Sequence, residues 1–401
     1  MNDAKFTLWG WEGFLPSSTT RLSPTSLLIH LAPDPEVMPR CRHCGADCPD
    51  VHDTSLRRIR ERDLFECRVW LEVPVRRVRC RHCGVAREQL GWLVLHARIT
   101  ERLRNHLEVL LQLMPLKHVS VLTGLHWHTL KQLDKARLAR MLPPPDLSSL
   151  RYLIMDEFAL FKGHRYATVV ANAENRQVLW VGEGRSRRDI RPFFRWLGKH
   201  CKMIEAVAMD MNSAMDLEVQ RHCPDARVVY DLFHVIAKFG REVIDRVRVD
   251  QANKLRENKP ARNVIKRSRW LLLRNRGNLS DEQAVRLEEL LAANQSLLLV
   301  YLMKDQLKSL WYAPSEKEAE QRWRQWYRQA MESALEPLVR FARRLRPYIN
   351  GIIASARYHL NTSILEGMNN RIKVIKRMAY GFRDNEYFFL KIKAAFPGLP
   401  R

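Results

Sequence analysis

The feature that most constrains this chain is a pentapeptide that occurs twice. Cys-Arg-His-Cys-Gly fills residues 41–45 and again 80–84. Each copy offers two thiols separated by two residues, and the glycine that follows permits the tight backbone needed to aim both at one ion. A tetrahedral zinc needs four such ligands, so Cys41, Cys44, Cys80 and Cys83 are expected to share a single structural Zn2+. The 35 residues between Cys44 and Cys80 exceed the usual zinc-ribbon loop, and Cys48 and Cys67 lie in that gap as alternative ligands. His43 and His82, between the paired thiols, are expected to point outward. Eight cysteines in 401 residues are too few for a disulfide scaffold, and Cys201 and Cys223 read as core residues.

Charge points to a polyanionic partner. The chain carries 68 Lys and Arg against 44 Asp and Glu, a formal net charge of +24, which favours nucleic acid. With 46% hydrophobic residues it can bury the cores of two or three domains. The longest apolar run, Leu297 to Met303, is well short of the roughly 18 to 20 residues of a membrane span, so no membrane partner is expected. The opening Met-Asn-Asp-Ala-Lys lacks the succession of a signal peptide, and the expected compartment is the reducing cytoplasm.

Periodicity then divides the chain. Residues 1–95, where β-formers such as Val69 to Val75 surround the cysteines, read as a zinc-binding β module. Residues 96–142 have apolar positions at helical spacing, including Leu103, Leu107, Leu110 and Met114. Within them, a short helix over Lys117–Leu122, a turn at Thr123-Gly124 and a second helix from Trp127 have the layout of a helix-turn-helix. Val121, Leu125, Leu130 and Leu133 are expected to hold its two helices together. His128, Thr129, Lys131 and Gln132 are expected to face DNA from the start of the recognition helix. Pro143-Pro144-Pro145 opens a stiff linker over 143–150.

Residues 151–238 switch to buried-strand patterns. Strands are expected at Tyr152–Met155, Tyr166–Ala171, Gln177–Val181, Ile204–Met209 and Ala226–Tyr230, with helices over Ser186–Leu197 and Ser213–Arg221. That order is a mixed α/β sheet. Residues 239–355 read as an all-helical insertion, with Trp270, Trp311, Trp323 and Trp326 as buried anchors, and 356–401 add one or two basic helices.

Two acids close predicted strands in this region. Asp156 follows the first and Asp210 the fourth, and if those strands are neighbours the carboxylates meet at one rim. Mg2+ or Mn2+ suits such a rim, because a hard cation is held by one or two carboxylates plus substrate phosphate oxygens. A second ion requires a third acid, and Glu366, in Leu365-Glu366-Gly367-Met368-Asn369-Asn370, is the candidate. Glu157 should point to the opposite face, while Asp231 and His234 read as a helix cap and a packed histidine, or as groups near a DNA end.

With these residues in place, the chain resembles the DDE-type transposases of bacterial insertion sequences, in particular the ISL3 family. The resemblance rests on the double finger, the helix-turn-helix, Met155-Asp156-Glu157-Phe158 with Lys162-Gly163, and Val207-Ala208-Met209-Asp210-Met211. It continues through Asp231-Leu232-Phe233-His234 to Glu366-Gly367-Met368-Asn369-Asn370-Arg371-Ile372-Lys373 and Tyr380-Gly381-Phe382-Arg383. It implies a ribonuclease-H-like core with an all-α insertion between the second Asp and the Glu, and a catalytic triad of Asp156, Asp210 and Glu366 binding two divalent ions. It also implies binding of terminal inverted repeats and target DNA, with a homodimer or larger oligomer holding two ends together. Phe161, where a charged residue is expected, is a departure that removes no carboxylate.

Basic residues supply the remaining expectation. Between Lys238 and Arg276 there are 13 Lys or Arg against four acids. Near Glu366, the residues Asn369, Asn370, Arg371, Lys373, Lys376, Arg377 and Arg383 form a set suited to DNA contact. Two other readings stand beside the transposase: a nuclease or resolvase without strand transfer, and a zinc-finger regulator with an idle core.

Overall fold

The computed structural model describes residues 10–93, 98–161, 163, 165–360 and 363–398, so Lys162 lies outside the described residues. It divides into two units, Met1–Met141 and Leu142–Arg401.

The first unit begins with a sheet. β1 (Phe14–Ser23) and β2 (Ser26–Pro33) form a hairpin. β1 escapes pattern reading because nearly all its side chains after Phe14 are exposed. β3 (Val51–Arg60) pairs antiparallel with β4 (Arg68–Cys80), β4 runs parallel to β2, and β5 (Gly84–Arg87) turns back onto β4. Alternation along β4 buries Val69, Leu71, Val73 and Val75 against Trp11, Phe14 and Trp92.

Three helices complete the unit: α1 (Glu101–Leu113), α2 (Leu116–Thr123) and α3 (Trp127–Met141). Thr100 caps α1, accepting from the Leu103 backbone. Gly124 ends α2 in the left-handed conformation, φ 68°, where a side chain would be strained; a Cβ there would also meet the Arg68 guanidinium at 2.6 Å, a flexible group that would have to move aside. The helix pair is held by Val119 and Leu130, with Leu125 and Leu133 partly buried beside them. Val121 does not contribute as expected. It is 75% exposed, because α2 buries Val119 and Thr123, one turn apart, and Val121 lies on the other side.

The second unit is built on a five-stranded sheet. Its strands are β6 (Tyr152–Phe161), β7 (Arg165–Asn172), β8 (Val178–Glu183), β9 (Ala206–Met209) and β10 (Arg227–Tyr230), in the order β10-β9-β6-β7-β8. β6, β7 and β8 form an antiparallel meander, while β9 and β10 are parallel to β6. α4 (Arg187–Leu197) and α5 (Ser213–His222) connect them. Asp156 does not end its strand. β6 continues to Phe161 because Phe158 and Leu160 prolong the buried alternation and β7 pairs with it along that length.

After β10 the chain is helical. α6 (Leu232–Phe239) passes through a π-turn at Gly240–Ile244 into α7 (Asp245–Lys254). α8 (Lys259–Arg267), α9 (Arg269–Leu273), α10 (Asp281–Ala293), α11 (Gln295–Lys308), α12 (Glu316–Glu332), α13 (Glu336–Leu345) and α14 (Ile349–Ile353) follow. Trp311, Trp323 and Trp326 are buried, and the Trp326 indole donates to the Met303 carbonyl at 2.8 Å. Trp270 departs from expectation: it is 63% exposed. α15 (Ser363–Met378) and α16 (Asn385–Ala395) cover the other face of the sheet, where Met368, Ile372, Phe388 and Ile392 pack on Ile154, Phe158 and Ala208. Cys201 and Cys223 are buried. No helix of the described residues is long and apolar enough to cross a membrane.

Candidate active site

Parallel pairing sets three acids at one level. Met155 of β6 pairs with Met209 of β9, and Met209 pairs with Tyr230 of β10. The next residues along the chain are Asp156, Asp210 and Asp231, so a carboxylate leaves each of three adjacent strands at the same height. Alternation also decides the face. Met155, Met209 and Tyr230 sit in the core shared with α4, α5 and the helical segment, whereas Ile154, Ala208 and Val229 face α15 and α16. Asp156 has the parity of the second set, and Asn369 of α15 donates its side-chain N–H to Asp156 Oδ2.

Glu366 lies three residues before Asn369, one turn back on the same side of α15, and is exposed. A cleft of about 1100 Å³ is lined by Asp156, Asp210, Asp231, His234, Glu366 and Asn369 together.

The electrostatics follow from this crowding. Burial first, and then the negative charge of Asp210, raise the Asp156 carboxyl to about 6. The Glu157 backbone N–H, 2.7 Å from Asp156 Oδ1, opposes the shift without cancelling it. His234 Nδ1 pairs with Asp210 Oδ1 and lies 3.0 Å from Asp231 Oδ2. Asp210 and then Asp231 raise the imidazole to about 10, so it is an imidazolium at neutral pH. Asp231 also accepts the Phe233 backbone N–H at 2.9 Å and caps α6, so cap and site contact coexist in one side chain. Glu157 takes no part. It accepts from Asn212 and pairs with Arg185 at 3.3 Å.

The donor set fits a hard divalent cation. Carboxylate oxygens of Asp210 and Asp231 lie within 4.8 Å of each other, and Asp156 adds a third carboxylate that repels Asp210. Asn369 Oδ1 is buried without a hydrogen-bond partner, a neutral oxygen still to be satisfied.

In the first unit, Cys41, Cys44, Cys80 and Cys83 bring their sulfurs within 4.8 Å of one another, an arrangement compatible with zinc. The backbone N–H groups of His43 and His82 donate to Cys41 Sγ and Cys80 Sγ, each at 3.4 Å, and both imidazoles are exposed. These matching turns place Gly45 and Gly84 at φ 71° and 72°. The His82 N–H first, and then that of Cys83, lower the Cys80 thiol to about 6. The β3–β4 hairpin fills the long gap and returns the chain to its start, where Cys41 bridges to Glu88. Cys48 is buried nearby but bonds to the Ala46 carbonyl, and Cys67 approaches the Pro24 carbonyl instead.

A family model described as Transposase, the DDE transposases of the ISL3 group, matches residues 153–392. The chain belongs to this family. It is 54% identical over 403 residues, 98% of both chains, to the transposase for insertion sequence element IS1001 of Bordetella parapertussis. It is 26% identical over 388 residues to the transposase for insertion sequence element IS1557 of Mycobacterium tuberculosis, covering 89% of this chain and 86% of the relative.

The other residues singled out in this transposase fall into three groups. In α3, His128, Thr129 and Gln132 are exposed, while Lys131 is partly covered and lies over the Trp127 ring at 5.8 Å. Asn370 and Lys373 line the acidic cleft with Asn369. Arg371 lies over Phe396 at 5.3 Å, Lys376 donates to the Ala159 carbonyl at 3.1 Å, and Arg377 and Arg383 are exposed. Sequence reading missed the link from Asp231 through His234 to Asp210. The available signal was an acid directly after the fifth predicted strand with a histidine one helical turn later.

Proposed function

We propose that this transposase binds the terminal inverted repeats of its insertion sequence and cuts and joins DNA at the cleft of Asp156, Asp210 and Glu366. The reaction is in-line phosphoryl transfer, with water and then the freed 3′-hydroxyl as nucleophile. The observation that carries this reading is the alignment of Asp156 and Asp210 on adjacent parallel strands, facing a helix that contributes Glu366 and Asn369 to the same cleft. The strand order supports a ribonuclease-H-like core over 151–238 and 356–401, interrupted by the helical insertion at 239–355. Asp156, Asp210 and Glu366 would hold two divalent ions, Mg2+ or Mn2+, which would supply activation of the attacking hydroxyl and neutralisation of charge at the leaving oxygen.

The chain's own residues do the rest. Asn369 fixes the rotamer of Asp156. Asp231 holds His234, and His234 in turn holds the Asp210 side chain in place. Lys373, with Arg241 and Arg274 from the insertion, lines the cleft with positive charge for the phosphates. Residues 1–95 carry one structural Zn2+ on Cys41, Cys44, Cys80 and Cys83. Residues 96–142 read the repeat through α3, and 143–150 join them to the core. Two element ends must be held together, which calls for a homodimer or larger assembly on double-stranded DNA in the bacterial cytoplasm.

The test is incubation of the purified protein with linear DNA carrying the inverted repeats that flank its coding sequence, with and without Mg2+. Cleavage at the repeat ends that requires Mg2+ and is lost in Glu366→Gln is expected. Cleavage that persists in Glu366→Gln overturns the site.

A further inference from the structure

In the first unit, the connection between β3 and β4 ends in a turn that its sequence resists. Leu64 and Cys67 exchange backbone hydrogen bonds of 3.1 and 3.0 Å, leaving Phe65 and Glu66 as the two residues at the tip. Phe65 takes φ 52°, in the left-handed region that glycine enters freely and a bulky side chain does not. Its ring is also 94% exposed, so no packing within the chain offsets the strain. A strained backbone and a large ring in water at one position mark a contact with something outside the chain.

The tip is held beside the turn of the helix-turn-helix. Arg60, at the end of β3, is buried and donates to the Thr123 carbonyl at 3.5 Å, while Arg68, at the start of β4, sets its guanidinium against Gly124. Thr123 and Gly124 lead directly into α3, and Phe65 is three residues, about 10 Å of extended chain, from Arg68. The acids of this stretch are mostly occupied. Glu61 is buried and accepts from the Trp11 indole at 2.9 Å and the Thr100 hydroxyl at 2.8 Å, and Asp63 pairs with Arg60. Arg57, Arg58, Arg62 and Arg68 are exposed, against Glu66 at the tip.

Charge selects the partner. A protein surface covering Phe65 would have to desolvate the guanidiniums around it, whereas duplex DNA meets them with phosphates. The minor groove also accepts an apolar side chain, which enters between two base pairs, partly unstacks them and bends the duplex. With α3 in the major groove, the neighbouring minor groove lies just across one phosphate backbone. We propose that Phe65 enters the minor groove of the repeat next to the segment read by α3 and wedges a base step there, with Arg62 and Arg68 on the flanking phosphates. This rests on the reading of residues 96–142 as the part that binds the repeat. Its consequence is specificity at a step with no base-edge hydrogen bond, where flexible pyrimidine–purine steps bind best because they open at least cost.

Dimethyl sulfate footprinting of the full chain on repeat-end duplexes tests the assignment, because the reagent methylates guanine N7 in the major groove and adenine N3 in the minor groove. Phe65→Gly removes the ring and the strain together, so its melting temperature should stay at or above that of the unsubstituted protein. It is expected to bind the repeat about tenfold to a hundredfold more weakly. At saturating protein it should lose the minor-groove protection beside the α3 site, and the bend read by energy transfer between dyes on the duplex ends, while keeping the major-groove protection. Phe65→Leu, which keeps an apolar wedge, should retain most of the affinity and the bend. Unchanged affinity and minor-groove protection in Phe65→Gly overturns the wedge. So does an unchanged footprint with altered mass in light scattering, which would assign the ring to contact between copies of the chain. Absence of any protection of the repeat by the unsubstituted protein refutes the repeat-binding reading instead.

Discussion

Replacing Asp156 by Asn should stabilise the metal-free protein while abolishing cleavage. Burial and the nearby charge of Asp210 raise this carboxyl from 3.8 to about 6. A group whose folded pKa lies above its unfolded value binds its proton more tightly when folded, so ionising it weakens the fold. The cost is absent below the unfolded value, grows as pH rises from there, and is complete above the folded value. A shift of about two units corresponds to about 3 kcal/mol at pH 7.5, an upper figure because Asp156 keeps some solvent contact. Asn preserves the shape without the charge: its oxygen can accept from the Glu157 N–H and its amide N–H can donate to Asn369 once that side chain turns its unpartnered oxygen inward. For a unit the size of Leu142–Arg401, about 3 kcal/mol raises the melting temperature by about 6 °C. Differential scanning calorimetry of the full chain in chelator should show Asp156→Asn melting later at pH 7.5, with the gap falling to roughly half at pH 5. Added Mg2+ should reverse the order, since the cation stabilises only the protein that binds it. An Asp156→Asn protein that melts at or below the unsubstituted one in chelator at pH 7.5, or a gap independent of pH, refutes the claim that this site holds crowded charge in reserve for a cation.

Asp210→Asn should abolish cleavage of repeat-end DNA while leaving binding of the repeat within about twofold, because a lost metal ligand acts on the transition state and not on DNA docking. Quantitative gel shift beside a cleavage assay checks both. Elemental analysis should return about one zinc per chain, and Cys41→Ser or Cys83→Ser should lose it together with the fold of the first unit. Substituting Thr129 or Gln132 should cost about 1 to 3 kcal/mol on the specific repeat and little on random DNA. Lys373→Ala should instead weaken all sequences alike and lower the salt slope by about one, measured by fluorescence anisotropy across a salt series.

What the sequence revealed and what it hid follow the range of the interactions involved. The cysteine turns were legible because two thiols and a glycine within five residues dictate their own geometry, and the structure gathers all four sulfurs. The turn at Gly124 was legible for the same reason. The strands β6 to β10 announced themselves as apolar runs, but the length of β6 did not, because its extension past Asp156 depends on pairing with β7. Short helices were the weakest point. α2 and α9, of eight and five residues, contain too few turns for periodicity to fix a buried face, and Val121 and Trp270 were each assigned to the wrong side. Asp231 and His234 look like an ordinary cap and its neighbour until the parallel register of β9 and β10 puts them beside Asp210.

That register is the fact from which the whole site follows. Side chains along a strand alternate faces, so a slip of one residue between β6 and β9 would send Asp210 away from Asp156 and toward the opposite core. The large buried partners prevent it: Met155, Met209 and Tyr230 fill one face while Ile154, Ala208 and Val229 fill the other, and neither set can exchange with the charged residues that follow. The acids are therefore brought together by the hydrophobic residues directly preceding them, against a mutual repulsion visible in the raised Asp156 carboxyl. Core packing on both faces of the sheet supplies the energy that holds this charge in place, and the site can remain crowded because its neighbours along each strand cannot move.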